Sequence, residues 1–502
     1  MNPTHPTQAD QSSQPGRPWL AHPNWPALGI LGLGLALRLY GLMRYGLWID
    51  ESSGMVIAQS TPAGILQSLT LRLHPPLYFF ALHYWMQISD SLFFIRLFPL
   101  IWGVATIWLV YRLARDVLGP QPALVSAFLL AISPAHIWYS QEVRMYSLLV
   151  LLCTLSFYLA WHWSQGRHIL WLAGHVLAST AALYTHYCAA FVLVAGNLAF
   201  PLLFILRKDY RKLALWMGAQ ACVALAFLPW VPTWRSQVDL DTPWIPKPTW
   251  AAIRQSLVYL GFGADWTGDA WSILRLSLVS GGLLATLAYA AWKGLARSPA
   301  ARRVFFPAVY LLGPGLLLVG VSLQRSVYQD KQLLIVLPAL LMVAGWGMCQ
   351  GGRRLAAASL LLVVALTLVP LYESYFVKVK PQWREMSQHI AANWQAGDVI
   401  YYNAGSASVS TAFYLDDSFP QVGFPMLWQV EKGPREGQPA TAEEIDKQLG
   451  ELAQNHKRVW LVNYYPAYWD PSGFIQAWIK AHADSQPTPA FYGMKLELYV
   501  LK

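Results

Sequence analysis

Eleven stretches of mostly apolar residues decide what this chain can become. They lie near 24–43, 92–111, 122–139, 146–163, 169–185, 188–206, 213–233, 271–292, 304–323, 332–349 and 355–372. A hydrocarbon core of ~30 Å takes about twenty helical residues to cross, and in lipid a helix must satisfy its own backbone. The pattern therefore reads as a polytopic helical membrane bundle. The composition agrees: of 502 residues, 55% are apolar and only 12% charged, far from a soluble average.

One further apolar run, 74–89, is shorter and holds His74, Pro75, Pro76, His83 and Gln87. Counting it as a span would invert everything after it. Basic residues in the short loops decide the matter. With 74–89 lying in the interface, one side receives Arg112, Arg115, Arg167, Arg207, Lys208, Arg211, Lys212, Lys293, Arg297, Arg302, Arg303, Arg353 and Arg354, while the other holds Arg144, Arg325 and Lys331. Thirteen against three is a positive-inside signal that sets the N-terminus in the cytoplasm. The outer face then collects the 44–90 loop, the 234–270 loop and the C-terminal region.

The formal net charge of +10 belongs to the membrane part: residues 1–374 carry 25 Lys and Arg against 13 Asp and Glu, and the remainder is slightly acidic. These cations sit in short loops rather than on one solvated face with stacking aromatics, which argues against nucleic-acid binding. The four cysteines, Cys153, Cys188, Cys222 and Cys349, fall in apolar runs and read as small hydrophobes, not as a disulfide or zinc framework. Residues 1–23 are polar and proline-rich and lack the order of a cleaved signal peptide, so a disordered cytoplasmic segment and a retained first helix are expected.

From about 378 the composition turns soluble. Helical patterns at 382–395, 441–454 and 471–483 alternate with β-rich runs at 398–403, 458–464 and 490–500, the signature of a small α/β domain. It carries no catalytic motif and reads as a lid or acceptor-positioning unit.

This topology gathers ionisable residues at the outer end of the bundle: Asp50 and Glu51, His74, Arg96, Glu142 and Arg144, His186, Arg325 and Lys331. Charged groups near the apolar slab are costly and tend to be functional. Each also has a plain structural reading. Asp50 and Glu51 suit the start of a helix, Arg96 suits a buried ion pair, and His186 suits packing among aromatics. Their shared membrane face is what raises the functional reading. Carboxylates there can act as a general base or metal ligands, and the separate cations suit a phosphate. A lipid-linked phosphate would present its head group at that depth while its tail stays in lipid.

Trp48-Ile49-Asp50-Glu51, His74-Pro75-Pro76-Leu77-Tyr78, Arg96-Leu97, Ser133-Pro134, Tyr139-Ser140-Gln141-Glu142-Val143-Arg144-Met145-Tyr146 and Tyr184-Thr185-His186-Tyr187 together resemble one family. It is the protein O-mannosyltransferase-like group of GT-C glycosyltransferases, which includes the aminoarabinose transferases acting on lipid A. The likeness runs over most of 24–375. It implies an inverting transfer from a polyprenyl-phosphate sugar, hexosyl or pentosyl, to an acceptor hydroxyl. Asp50 matches the catalytic base, Glu51 its helper, and Glu142 with Arg144 the second charged motif. Among the residues that carry the likeness, His74, Tyr78, Arg96, Arg144, Tyr146 and His186 are expected to bind substrate. Lys331, in Lys331-Gln332-Leu333-Leu334, stands where the family tends to show arginine, and with Arg325 is expected to hold the donor phosphate. Lysine gives a point charge there in place of a bidentate fork.

Asp50, Glu51, His74 and His186 offer oxygen and nitrogen donors, with Asp50, Glu51 and His186 the expected set for a divalent cation. No close ligand spacing such as H-E-x-x-H occurs, and metal dependence stays open. The expected architecture is an all-α polytopic membrane bundle of GT-C type, with about eleven spanning helices and interfacial helices in the first outer loop. It divides into a cytoplasmic 1–23, a catalytic transmembrane domain over 24–375 and an extracytoplasmic α/β domain over 376–502. The partners expected are a polyprenyl-phosphate donor, membrane lipids and an acceptor that is a protein, glycolipid or polysaccharide. Trp244, Trp250, Tyr259 and Trp266 in the 234–270 loop serve acceptor choice or an interfacial aromatic belt. The rival reading is a lipid or solute transporter, for which internal repeats and mid-membrane charges would be expected.

Overall fold

A computed structural model describes residues 24–238, 245, 247–295, 299–325, 327–424 and 441–502. Residues 1–23 and Trp244, about which the sequence raised expectations, lie outside the described residues. The chain begins with α1 (Trp25–Leu39) and then forms three short helices, α2 (Ile49–Gln59), α3 (Pro62–Thr70) and α4 (Leu77–Met86). Helix α4 covers the ambiguous run. Its 10 residues span only about 15 Å, half of what a crossing needs. Pro75 and Pro76 forbid an earlier start, because proline donates no backbone hydrogen bond and biases the residue before it away from the helix.

The bundle continues with α5 (Leu92–Leu118), α6 (Pro120–Ile132), α7 (Pro134–Ser140), α8 (Tyr146–Ser164), α9 (Leu170–Thr185), α10 (Ala189–Leu206) and α11 (Tyr210–Phe227). After α12 (Val231–Val238) and α13 (Trp250–Phe262) come α14 (Ala270–Leu295), α15 (Pro299–Gln324), α16 (Leu337–Met348) and α17 (Gly352–Phe376). Seven stretches among the described residues are long and apolar enough to cross a membrane, eight if the bent pair α6–α7 is one span.

The difference from eleven has two definite sources. Helices α1 and α9 are helical where expected but have only 15 and 16 residues. The apolar run Asp330–Phe376 counts once, although it holds two of the expected segments. Its ends return to one place, since Lys331 reaches Asp50 and Lys380 reaches the adjacent Glu51. It therefore folds back, at Gly352, whose φ of +81° suits glycine.

Pro134 breaks the span that begins at Pro120, and α7 leaves α6 at 60°. Ser133 caps the new helix by accepting from the His136 N–H at 3.4 Å. The bend carries the loop 141–145 to the same end of the bundle as the end of α1, where Gln141 Nε2 donates to the carbonyls of Arg38 and Tyr40 at 2.9 and 2.8 Å. Gly263 ends α13 with φ +74° and lies against Pro134, where a Cβ would stand 2.5 Å from the proline ring.

The C-terminal part holds a five-stranded sheet in the order β2-β1-β3-β5-β4. Strand β1 (Asp398–Tyr402) pairs in parallel with β2 (Gln421–Gly423) and β3 (Arg458–Asn463). Strand β5 (Lys495–Leu501) runs antiparallel to β3 and to β4 (Ala483–Gln486). The helix Ala442–Asn455, started by a Thr441–Glu444 capping box, precedes β3 on the crossover that a parallel pair requires. Alternation along β1 sends Val399 and Tyr401 to a core with Ile445, Leu449 and Ile475, and Ile400 and Tyr402 to one with Trp383, Met386 and Ile390. Trp48 and Ile49 join the second core, so that sheet face is the one turned to the start of α2. Tyr414 Oη accepts from the Leu47 N–H at 2.7 Å, and Arg384 donates to the carbonyls of Met43 and Arg44 at 3.3 and 2.9 Å.

Candidate active site

The first turn of α2 carries Asp50 and Glu51, a favourable place for negative charge because unpaired backbone N–H groups point there. The residue before the helix, Trp48, makes no side-chain capping bond. The two carboxylates face different partners. Asp50 keeps its carboxylate about one-third exposed, with Oδ2 3.5 Å from Lys331 Nζ. Glu51 is fully buried, its Oε1 accepting from the Val143 N–H at 2.9 Å and its Oε2 lying 3.3 Å from Lys380 Nζ.

Loop 141–145 supplies the second set. Arg144 Nη1 donates to the Asp50 carbonyl at 3.0 Å, and Arg144 Nη2 lies 3.2 Å from His74 Nε2. A guanidinium only donates, so His74 accepts through Nε2 and carries its proton on Nδ1. That Nδ1 is buried and has no hydrogen-bond partner among the described residues. The same holds for Tyr78 Oη and Arg144 Nε. The His186 ring lies 6.0 Å from both His74 and Tyr146. Its Nδ1 accepts from the Cys188 N–H at 3.1 Å. Lys331 Nζ stands 5.6 Å from the centre of the Tyr146 ring, a cation–π contact.

Behind Asp50 lies a second, drier charge layer. Lys380 Nζ bridges Glu51 and Glu142, 3.1 Å from Glu142 Oε1. Its ammonium also sits 5.0 Å from the Trp138 ring and 5.9 Å from the Trp48 ring. Arg96 is buried 3.8 Å from Glu51 and donates to the carbonyls of Leu42, Tyr45 and Gly46 at 2.7, 3.0 and 3.3 Å. It therefore shapes the loop that leads into α2. Arg325 directly follows α15, half-buried, six residues before Lys331.

Burial pushes the Asp50 carboxyl up, but Arg144 and Lys331 outweigh it and hold the group below the ordinary carboxylate value. Glu51 is likewise lowered, with burial overcome by Lys380, Arg96 and the Val143 N–H. Glu142 goes the other way: burial and the nearby Glu51 raise it despite Lys380. His186 is pushed down to about 3 by burial, Arg144 and Lys331, and His74 moves down for the same reasons, so both rings are neutral. Four cations, Arg96, Arg144, Lys331 and Lys380, thus face three carboxylates, Asp50, Glu51 and Glu142. The surplus is positive and suits an anion.

A cation held by Asp50, Glu51 and His186 does not fit this arrangement. Glu51 commits both oxygens to Val143 and Lys380, and His186 commits Nδ1 to Cys188. Among the described residues no group of three or more His, Cys, Asp or Glu side chains converges as a ligand set.

The sequence did not single out Lys380. In Lys378-Val379-Lys380-Pro381 it follows the last apolar run and counts with the soluble part, although its place just beyond a span on the outer face was the available signal. A cavity of about 260 Å³ lies nearby, lined by residues that include Trp138, Tyr139, Tyr259, Asp265, Asp330 and Lys378.

Residues 73–234 match the family described as dolichyl-phosphate-mannose-protein mannosyltransferase. That stretch includes His74, Tyr78, Arg96, Glu142, Arg144, Tyr146 and His186 and leaves out Asp50, Glu51, Arg325 and Lys331. Among solved structures, apo ArnT from Cupriavidus metallidurans is similar with a TM-score of 0.62 at 13% identity, over 94% of this chain and 97% of that one. The same protein bound to undecaprenyl phosphate gives 0.58 at 14%, over 96% and 98%. The oligosaccharyltransferase AglB from Archaeoglobus fulgidus, with an inhibitory peptide and a dolichol-phosphate, gives 0.54 at 13%, over 94% and 74%. The Archaeoglobus fulgidus oligosaccharyltransferase with Zn and sulfate gives 0.51 at 14%, over 84% and 64%. No curated protein sequence matches the chain. This chain is a multi-pass membrane protein with the fold of the GT-C glycosyltransferases, and its motifs from His74 to His186 lie in the stretch that matches their mannosyltransferase family.

Proposed function

We propose that the protein is an integral membrane glycosyltransferase that moves a sugar from a polyprenyl-phosphate donor to an acceptor hydroxyl in a single inverting displacement. One observation supports this most. Asp50 is a partly exposed carboxylate set between two cations, Lys331 and Arg144, beside buried polar atoms of His74, Tyr78 and Arg144 that have no partner among the described residues. Buried donors of that kind are costly unless something binds them. A phosphate with its oxygens toward Arg144, His74, Tyr78 and Lys331 would satisfy them, while the lipid tail stays in the bilayer.

In this reading Asp50 takes the proton from the acceptor hydroxyl as that oxygen attacks the anomeric carbon. The bond from that carbon to the phosphate oxygen breaks, and its electron pair leaves with the polyprenyl phosphate. Lys331, Arg144 and, at the end of α15, Arg325 stabilise the growing charge, an electrostatic effect worth several kcal/mol in comparable sites. Glu51, Arg96 and Glu142 hold Asp50 and Arg144 in place. Tyr146 and His186 form the wall against Lys331. No step is assigned to a metal, because the donor set does not fit one.

The described residues of the basic loops belong to the opposite end of the bundle, where His162 lies 3.0 Å from Asp116 and Lys212 donates to the Ser164 carbonyl at 3.0 Å. With the positive-inside rule this supports an N-terminus in the cytoplasm, with the site and the sheet domain outside. The catalytic part then runs over 24–375, and residues 376–502 cover it. ArnT with undecaprenyl phosphate and AglB with a dolichol-phosphate support a polyprenyl-phosphate ligand for this fold.

The test uses the full chain in lipid nanodiscs with a panel of labelled polyprenyl-phosphate sugars. Saturable binding and consumption of one donor, at rates that rise with an added acceptor, is expected. Binding and consumption of none would overturn the reading and favour a transporter.

A further inference from the structure

Lys380 belongs to the short connection between α17 and the first helix of the sheet domain, yet its ammonium lies inside the charge layer behind Asp50. Glu51 Oε2 stands 3.3 Å and Glu142 Oε1 3.1 Å from it, and all three side chains are at least nine-tenths buried. The rings of Trp48 and Trp138 lie 5.9 and 5.0 Å from it. The groups it joins are not equivalent. Glu51 is next to Asp50 on α2, and Glu142 is two residues before Arg144, which holds the Asp50 carbonyl and His74.

Two carboxylates brought this close without a cation between them repel strongly in a dry environment. Arg96 does not replace Lys380, because it lies 3.8 Å from Glu51 and its donors hold carbonyls of the 42–46 loop. Nor does Lys331, which contacts Asp50 and the Tyr146 ring.

We propose that Lys380 is a positioning residue that clamps the Asp50 turn of α2 to the Arg144 loop, so that the entry to the sheet domain holds base and phosphate site in register. Its effect on turnover rests on the glycosyltransferase reading above; the clamp itself does not.

The test compares Lys380→Met, Lys380→Arg, Glu142→Gln and the double variant Lys380→Met/Glu142→Gln in full-length protein in nanodiscs. Donor consumption, donor affinity and the thermal midpoint are read for each. Lys380→Met should lower turnover by more than about tenfold and lower the midpoint, whereas Lys380→Arg retains most of both. The decisive result is coupling: the double variant should exceed Lys380→Met in midpoint and by roughly tenfold in turnover, because one of the two facing charges is gone. Strictly additive losses, or wild-type turnover and midpoint in Lys380→Met, would overturn the clamp. If the wild type consumes no polyprenyl-phosphate sugar the transferase reading fails, and the midpoints alone then decide the clamp. If Lys380→Met does not fold, recovery of folded protein in the double variant supports the clamp and failure to recover it counts against it.

Discussion

Lys331 Nζ lies 3.5 Å from Asp50 Oδ2, joining residues 281 positions apart that sit on α2 and at the start of the returning pair α16–α17. A lysine shared in this way can turn to a donor phosphate and leave Asp50 freer to accept a proton. Lys331→Ala should therefore weaken donor affinity by roughly tenfold or more, the usual effect of losing a hydrogen bond to a charged group. Folding should be retained, since Lys331 is partly exposed. Donor titration checks this, and unchanged affinity would remove Lys331 from the phosphate site.

Tyr78 offers an unusual signature. Its hydroxyl is buried without a partner among the described residues, while its ring packs edge-on against Phe79 at 5.7 Å. Tyr78→Phe removes an unsatisfied group of about 1–3 kcal/mol desolvation cost and keeps the packing. The thermal midpoint should stay level or rise while donor binding falls. A variant that loses stability but not donor binding would show that the hydroxyl serves the fold.

The sheet domain has its own acid-sensitive point. Asp398 at the start of β1 accepts from Arg458 Nε and Nη2 at 2.7 and 2.6 Å, and from Trp460 Nε1 at 2.9 Å. Burial pushes this carboxyl up, but those donors outweigh it and hold it below its ordinary value. A depressed carboxylate stabilises the folded state fully above its unfolded value near 4, and that contribution is lost as pH falls through the folded one. Hydrogen exchange of β1 and β3 should thus rise below about pH 4. Arg458→Ala should cost about 3 kcal/mol at neutral pH, because it leaves a buried carboxylate without its ion. Exchange that is flat down to strongly acidic pH would contradict this.

How much of this was readable beforehand depended on the length scale of the signal. Every expected span is helical, because about twenty apolar residues form a pattern that little else imitates, and α4 is short as 74–89 suggested. In the C-terminal part the helices and three strands appear close to where periodicity put them. Strand β2 has three residues, too few to show a period, and β5 starts at Lys495 because Pro487, Pro489 and Gly493 hold the preceding stretch in turns.

Individual roles were less visible. Adjacent Asp50 and Glu51 look alike in sequence, yet α2 turns one toward Lys331 and the other into a dry layer with Lys380. That separation is why Asp50, Glu51 and His186 do not converge as one ligand set among the described residues. A lysine just past a span carries no local sign that it folds back between two glutamates. Only the return of α17 to the same end shows it.

The most direct test of the central claim is donor turnover by Asp50→Asn in nanodiscs, measured beside donor binding. The substitution keeps the size of the side chain and the Arg144 bond to the Asp50 carbonyl, and removes only the charge that would take the proton. The account predicts donor binding within a few-fold of wild type and a turnover loss of roughly 10²–10⁴, the contribution of a positioned general base. Turnover close to wild type, with donor still bound, would contradict it.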